Sequence, residues 1–159
     1  MKSTLLKILA TIFLIGLIVF LLASRQKSTE KGQYEISVGK HRIFVEIMDT
    51  DAKRANGLSG RNSLSEKEGM LFIFDYKDIM PAFWMKDMLF AIDIIWINDG
   101  VVAGISENVL PEPGRSENEL TLYRPPNPID YVLEVTSGFS KENEISIGTE
   151  VDLSSFNYD

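Results

Sequence analysis

At 159 residues with 45% hydrophobic content, the chain has material for one core and too little for two ordinary domains once its hydrophobic N-terminal segment is set aside. It contains no cysteine, which excludes disulfides, a lipid-modified cysteine, thiol nucleophiles and thiolate metal sites. The whole chain carries −7, but residues 32–159 hold 11 Lys/Arg against 22 Asp/Glu, a net −11, so nucleic acid and anionic lipid are poor partners for that surface.

Ile8 to Ser24 is a run of seventeen residues without a charge, flanked by Lys2 and Lys7 before it and Arg25 and Lys27 after it. The run is nearly long enough to span a bilayer with local thinning or snorkelling of its basic flanks. Read as a signal peptide, it would put Leu21 or Leu22 where the cleavage site needs a small residue, so an uncleaved anchor is the preferred reading and secretion after cleavage the alternative. Basic residues on both sides weaken the positive-inside bias; the N-terminus is expected inside because little precedes the segment, which leaves the rest of the chain extracytoplasmic. The expected organisation is an anchor or signal segment over 1–24, a polar tether over 25–32, a β-domain over 33–153 and a tail over 154–159.

Tyr34, Ile36 and Val38 alternate with polar residues, Gly39-Lys40 interrupts, and Ile43, Val45 and Ile47 resume the period of two, which predicts a β-hairpin. Thr50 or Asp51 is placed to cap a short helix over Ala52 to Leu58, limited by Asn56-Gly57. Met70 to Phe74 is apolar at every position, as in a strand covered on both faces. Phe83 to Met85 and Ile92 to Ile97 read as further strands, and Asn98-Asp99-Gly100 turns the chain into Val101 to Ile105. Val109 to Pro128 holds five prolines and reads as a long loop. Tyr131 to Val135 is a predicted strand, Ser137 to Glu144 a short helix and Glu150 to Leu153 a last strand. Short strands with one or two small helices indicate a mainly β fold, a single β-sandwich or barrel.

No nucleophile elbow, dinucleotide fingerprint, phosphate-binding loop or zinc-protease helix is present, and no cofactor is implied. His41 is the single histidine and sits beside a hairpin turn, where an exposed strand end is the plainer reading than a catalytic triad. One imidazole with carboxylates seldom makes a zinc centre, so no metal site is expected.

The densest region runs from Lys53 to Ile97. Its segments Lys53-Arg54-Ala55-Asn56-Gly57-Leu58, Arg61, Ser63-Leu64, Glu68-Gly69-Met70-Leu71-Phe72-Ile73-Phe74 and Phe83-Trp84-Met85-Lys86, continued by Asp93-Ile94-Ile95 and Tyr131-Val132-Leu133-Glu134-Val135, resemble the family known as domain of unknown function 192, DUF192. The resemblance covers roughly residues 33 to 153. It implies a jelly-roll-like β-domain, often behind a signal or anchor, and no established activity. The sequence departs from the family pattern at Asp87-Met88, where Asn-Thr is usual, and at Ala91-Ile92, where a Pro precedes Leu-Asp.

Strand alternation puts Phe83 and Met85 on one side and Trp84 and Lys86 on the other. Trp84 is then either a partly buried ring with a backbone partner or the aromatic floor of a ligand pocket. Asp93 lies among isoleucines and needs hydrogen bonds, a cation or a proton. Arg54 and Arg61 are its expected partners; an arginine not engaged in that way would be available to a ligand carboxylate or phosphate. Gly69 serves either a positive φ or a close backbone approach. The preferred functional reading is a non-catalytic extracytoplasmic binding or accessory module whose site comprises Arg54, Arg61, Trp84, Lys86 and Tyr123, with a small anionic ligand or an envelope protein as partner. The alternatives are a hydrolase or lyase working on an envelope carbohydrate through carboxylates drawn from Glu68, Asp87, Asp93 and Glu107, and a structural partner in an envelope complex.

Overall fold

Hydrogen-bond pairing gathers seven strands into one sheet. The structure is a computed structural model that describes residues 33–155; the anchor and tether expected over 1–32 lie outside the described residues. The strands are β1 (Gln33–Val38), β2 (His41–Met48), β3 (Glu68–Ile73), β4 (Ile92–Asn98), β5 (Val101–Val109), β6 (Tyr131–Thr136) and β7 (Val151–Asp152), and they lie in the order β5-β4-β6-β3-β2-β1-β7. Helix α1 (Asp51–Asn56) precedes β3 and helix α2 (Phe139–Glu142) follows β6.

Every pairing is antiparallel except that of β2 with β3, whose parallel register requires the crossover through α1. The two sheet ends approach each other: Val151 N–H donates to Gly100 O at 2.8 Å and Val102 N–H to Thr149 O at 2.9 Å. The result is a nearly closed barrel, so of the two architectures expected the barrel is the one found, with one parallel pair that an all-antiparallel jelly roll lacks.

Side-chain alternation divides the apolar residues into two clusters. Ile36, Ile43, Val45, Leu71, Ile95 and Leu133 fill the interior. Met70, Phe72, Ile92, Ile94, Trp96 and Val132 project outward from the central strands and are roofed by Leu58, Met85 and Met88. This second cluster explains why Met70 to Ile73 in β3 and Ile94 to Ile97 in β4 are apolar at every position: both faces are covered. No regular strand forms over Phe83 to Met85, because only Phe83 bridges a neighbour, exchanging both backbone bonds with Tyr123 at 2.8 and 2.9 Å. The expected alternation survives there nonetheless. Met85 is buried, Phe83 packs its ring at right angles to Phe72 and Trp96, and Trp84 is 42% exposed.

Candidate ligand-binding cavity

The site begins with a register. On the outer face of the sheet, Glu46 of β2, Met70 of β3, Glu134 of β6 and Ile94 of β4 stand side by side. Glu134 therefore sits between two apolar neighbours, only 6% exposed. Its backbone is held close to β3 by Gly69, where an added Cβ would lie 3.1 Å from Glu134 O and 3.1 Å from Leu133 Cδ1. Gly69 thus serves a close approach and not a positive φ.

Two segments roof this face. Thr50 caps α1, its hydroxyl accepting from Lys53 N–H at 3.3 Å, and Gly57 ends the helix with φ 46°, its N–H returning to Lys53 O at 2.9 Å. The chain after the helix is then stitched to the second segment, as Ser59 Oγ donates to Lys86 O at 2.8 Å and Gly60 N–H to Asp87 O at 2.9 Å. Between the roof and the sheet lies an open cavity of about 300 Å³ lined by Arg54, Gly57 to Ser59, Phe72, Phe74, Pro81 to Trp84, Met88 and Glu134.

Its two charged lining residues are in opposite situations. Arg54 is well anchored: Nη1 donates to Ile73 O at 2.7 Å, Nη2 to Asp51 at 2.5 Å, Asp75 lies 3.9 Å away, and the guanidinium sits 5.7 Å over the Phe74 ring. The Glu134 carboxyl accepts no hydrogen bond and meets no cation among the described residues, and burial pushes it up to about 8.

The other sequence-derived candidates do not converge on this cavity. Arg61 makes a two-pronged pair with Glu46 at 2.5 and 2.7 Å, which holds the Glu46 carboxyl below its usual range. Lys86 is paired with Glu117 and sits 6.0 Å from the centre of the Trp84 ring, in a neighbouring groove that also holds Asp87 and Arg115. Tyr123 contributes its backbone to Phe83 and packs its ring against the outer cluster. Glu68 starts β3 and accepts from Ser65 N–H at 3.4 Å, while Glu107 borders a groove with Asp93, Asn108 and Lys141.

The expected pairing of Asp93 with Arg54 or Arg61 is not what the structure shows. Asp93 is opposite Val135, one residue out of step with the Ile94–Glu134 row, so it projects from the other face of the sheet. There it accepts from the backbone N–H groups of Asn108 at 2.9 Å, Gly138 at 3.3 Å and Ser140 at 2.9 Å, capping α2. Two oriented donors at a helix start and one from the end of β5 satisfy the buried carboxyl without a cation.

Sequence reasoning does not single out Glu134. Its signal is present nonetheless: one carboxylate between Leu133 and Val135, in a strand whose other positions demand burial.

A family profile matches residues 34–153, which is most of the chain, and that family is DUF192, described as "Uncharacterized ACR". The chain belongs to the DUF192 family. Among solved structures, this DUF192 domain is similar to a protein of unknown function from Novosphingobium aromaticivorans DSM 12444, with a TM-score of 0.69 and 27% identity over 79% of this chain and 89% of that one. It is also similar to a protein from Sinorhizobium meliloti 1021 described as a "putative transcription regulator", with a TM-score of 0.70 and 26% identity over 79% of this chain and 96% of that one. No curated protein matches it.

Proposed function

We propose that this DUF192 protein is a non-catalytic small-molecule binding module, held on the extracytoplasmic side of a membrane by its uncharged N-terminal segment. The observation that carries the binding reading is Glu134: a buried carboxyl with no protein partner, opening onto a cavity of about 300 Å³ with aromatic walls. Buried polar groups are ordinarily satisfied by the protein or by ordered water, and a carboxyl without a protein partner that faces an open, aromatic-walled pocket is placed to meet a polar group that enters it. Arg54 at the same cavity is held by Ile73 O and Asp51, which leaves Glu134 as the lining charge without a partner among the described residues.

A binding role is favoured over carboxylate catalysis by the placement of the acidic residues. Glu68, Asp87, Asp93 and Glu107 do not line the cavity, and Asp93 is fully engaged by backbone donors. Acid–base hydrolysis of a glycoside needs two carboxyl groups facing one bond. The membrane location rests on the seventeen-residue uncharged run and the polar tether after it.

The test is a thermal-shift screen of the full chain in non-ionic detergent against small carboxylates, phosphates, amines and neutral sugars. A cavity ligand raises the midpoint of the wild type and fails to raise that of Ala82→Trp, which fills the mouth from an exposed lining position. Silence across all four classes would refute the binding reading.

A further inference from the structure

We infer that the cavity receives the primary ammonium group of a small amine, and that Glu134 is the residue that accepts it. This rests on the binding-module reading and specifies its ligand. A buried carboxyl facing a cavity can be satisfied by a hydrogen-bond donor, and an ammonium group supplies several donors together with the compensating charge. The walls suit such a group. Phe72, Phe74, Phe83 and Trp84 surround the cavity with aromatic rings, whose faces attract cations and whose bodies cover an apolar stem. The field of the domain agrees, since residues 32–159 carry a net −11.

No cation of the described residues takes the ammonium's place. Among the charged groups on the elements packed around Glu134, Arg54 of α1 is engaged by Ile73 O and Asp51 with Asp75 nearby, and Arg61 is bound to Glu46 one strand beyond Met70, about 10 Å across the sheet from Glu134. Lys86 of the roofing segment is paired with Glu117 and lies beside Asp87. β3 brings Glu68, whose carboxylate takes the Ser65 N–H, and β4 brings Asp93, which projects from the opposite face.

Before an amine binds, Glu134 is largely protonated at neutral pH, since burial raises it to about 8. An ammonium ion binds the ionised form, so its capture releases a proton. The ionised fraction rises several-fold between pH 6.5 and pH 8, and the affinity for an amine that stays protonated over that range rises with it.

The experiment titrates benzylamine, benzyl alcohol and benzoate into the full chain in non-ionic detergent by calorimetry at both pH values, using wild type, Glu134→Gln and Ala82→Trp. Benzylamine should bind the wild type several-fold tighter at pH 8 than at pH 6.5, and lose at least tenfold at pH 8 in folded Glu134→Gln, with the alcohol and the acid showing no such rise. If the alcohol or the acid binds in a manner abolished by Ala82→Trp while benzylamine does not, the ammonium assignment falls and the binding module stands. Benzylamine affinity unchanged by Glu134→Gln overturns the ammonium assignment in the same way. If none of the three binds, the ammonium assignment falls, and the four-class thermal-shift screen decides separately whether the cavity binds anything.

Discussion

The Asp93 carboxylate receives the backbone N–H of Ser140 at 2.9 Å, a bond that ties the second central strand to a helix 47 residues later in the chain. With the N–H groups of Asn108 and Gly138 on its other oxygen, this single side chain fixes the end of β5, the turn after β6 and the start of α2. Replacing Asp93 by Ala leaves three donors without partners and should destabilise the domain by roughly 3 kcal/mol or more. Asp93→Asn keeps one accepting oxygen and should cost less. Urea unfolding followed by the fluorescence of buried Trp96 measures both, and an Ala variant within about 1 kcal/mol of wild type would contradict the capping role.

The two arginines of the basic cluster should separate in the same assay. Arg54 is only 15% exposed in its side chain, bonds the last carbonyl of β3 and lies over Phe74, so Arg54→Ala should cost about 2 kcal/mol. The Arg61–Glu46 pair is 37% and 29% exposed, and solvent screening reduces the expected loss for Arg61→Ala to about 1 kcal/mol. Equal losses would mean that the helix is not fastened through Arg54.

Glu134 gives the stability of the fold a pH dependence of definite sign. In the folded protein its proton is held until about pH 8, whereas in the unfolded chain it is lost near 4.5. The native state therefore binds more protons between these limits, and its stability falls as pH rises through that window. The stabilising effect of the retained proton is whole below 4.5 and gone above 8, a change of roughly 5 kcal/mol. Glu134→Gln, which cannot ionise, should be more stable than wild type above neutrality and should lose this slope. Paired unfolding curves at pH 5, 7 and 9 decide the matter; parallel wild-type and Gln profiles would show that the carboxyl is already solvated.

Gly69→Ala tests the packing beneath the cavity. The new methyl would press on Glu134 O at 3.1 Å, a backbone atom fixed in the sheet ladder, so the neighbour cannot move aside cheaply. A loss of roughly 1–3 kcal/mol is expected, the range for overfilled cores. A neutral result would mean that β3 and β6 separate easily at this point.

Local chemistry is enough to read much of this fold. The period of two in Tyr34 to Ile47 marks the first hairpin, and the all-apolar Met70 to Phe74 marks a strand buried on both faces. Thr50 and Gly57 bracket α1, and Asp99-Gly100, both with positive φ, close the turn between β4 and β5. Each of these signals acts over a few residues and needs no knowledge of a partner. Phe83 to Met85 shows the limit, because its alternation is legible but its lack of a regular strand follows from having only Tyr123 to bridge.

The site is decided between elements far apart in sequence. Asp93 and Glu134 are both acids in apolar strands, and nothing local distinguishes a capped carboxylate from an unpartnered one. The register of β4 on β6 does so, setting Ile94 opposite Glu134 and Asp93 opposite Val135. A shift of one residue sends a side chain to the other face of a sheet, so that register turns Asp93 toward the donors of α2 and Glu134 toward a cavity where no donor of the described residues bonds it.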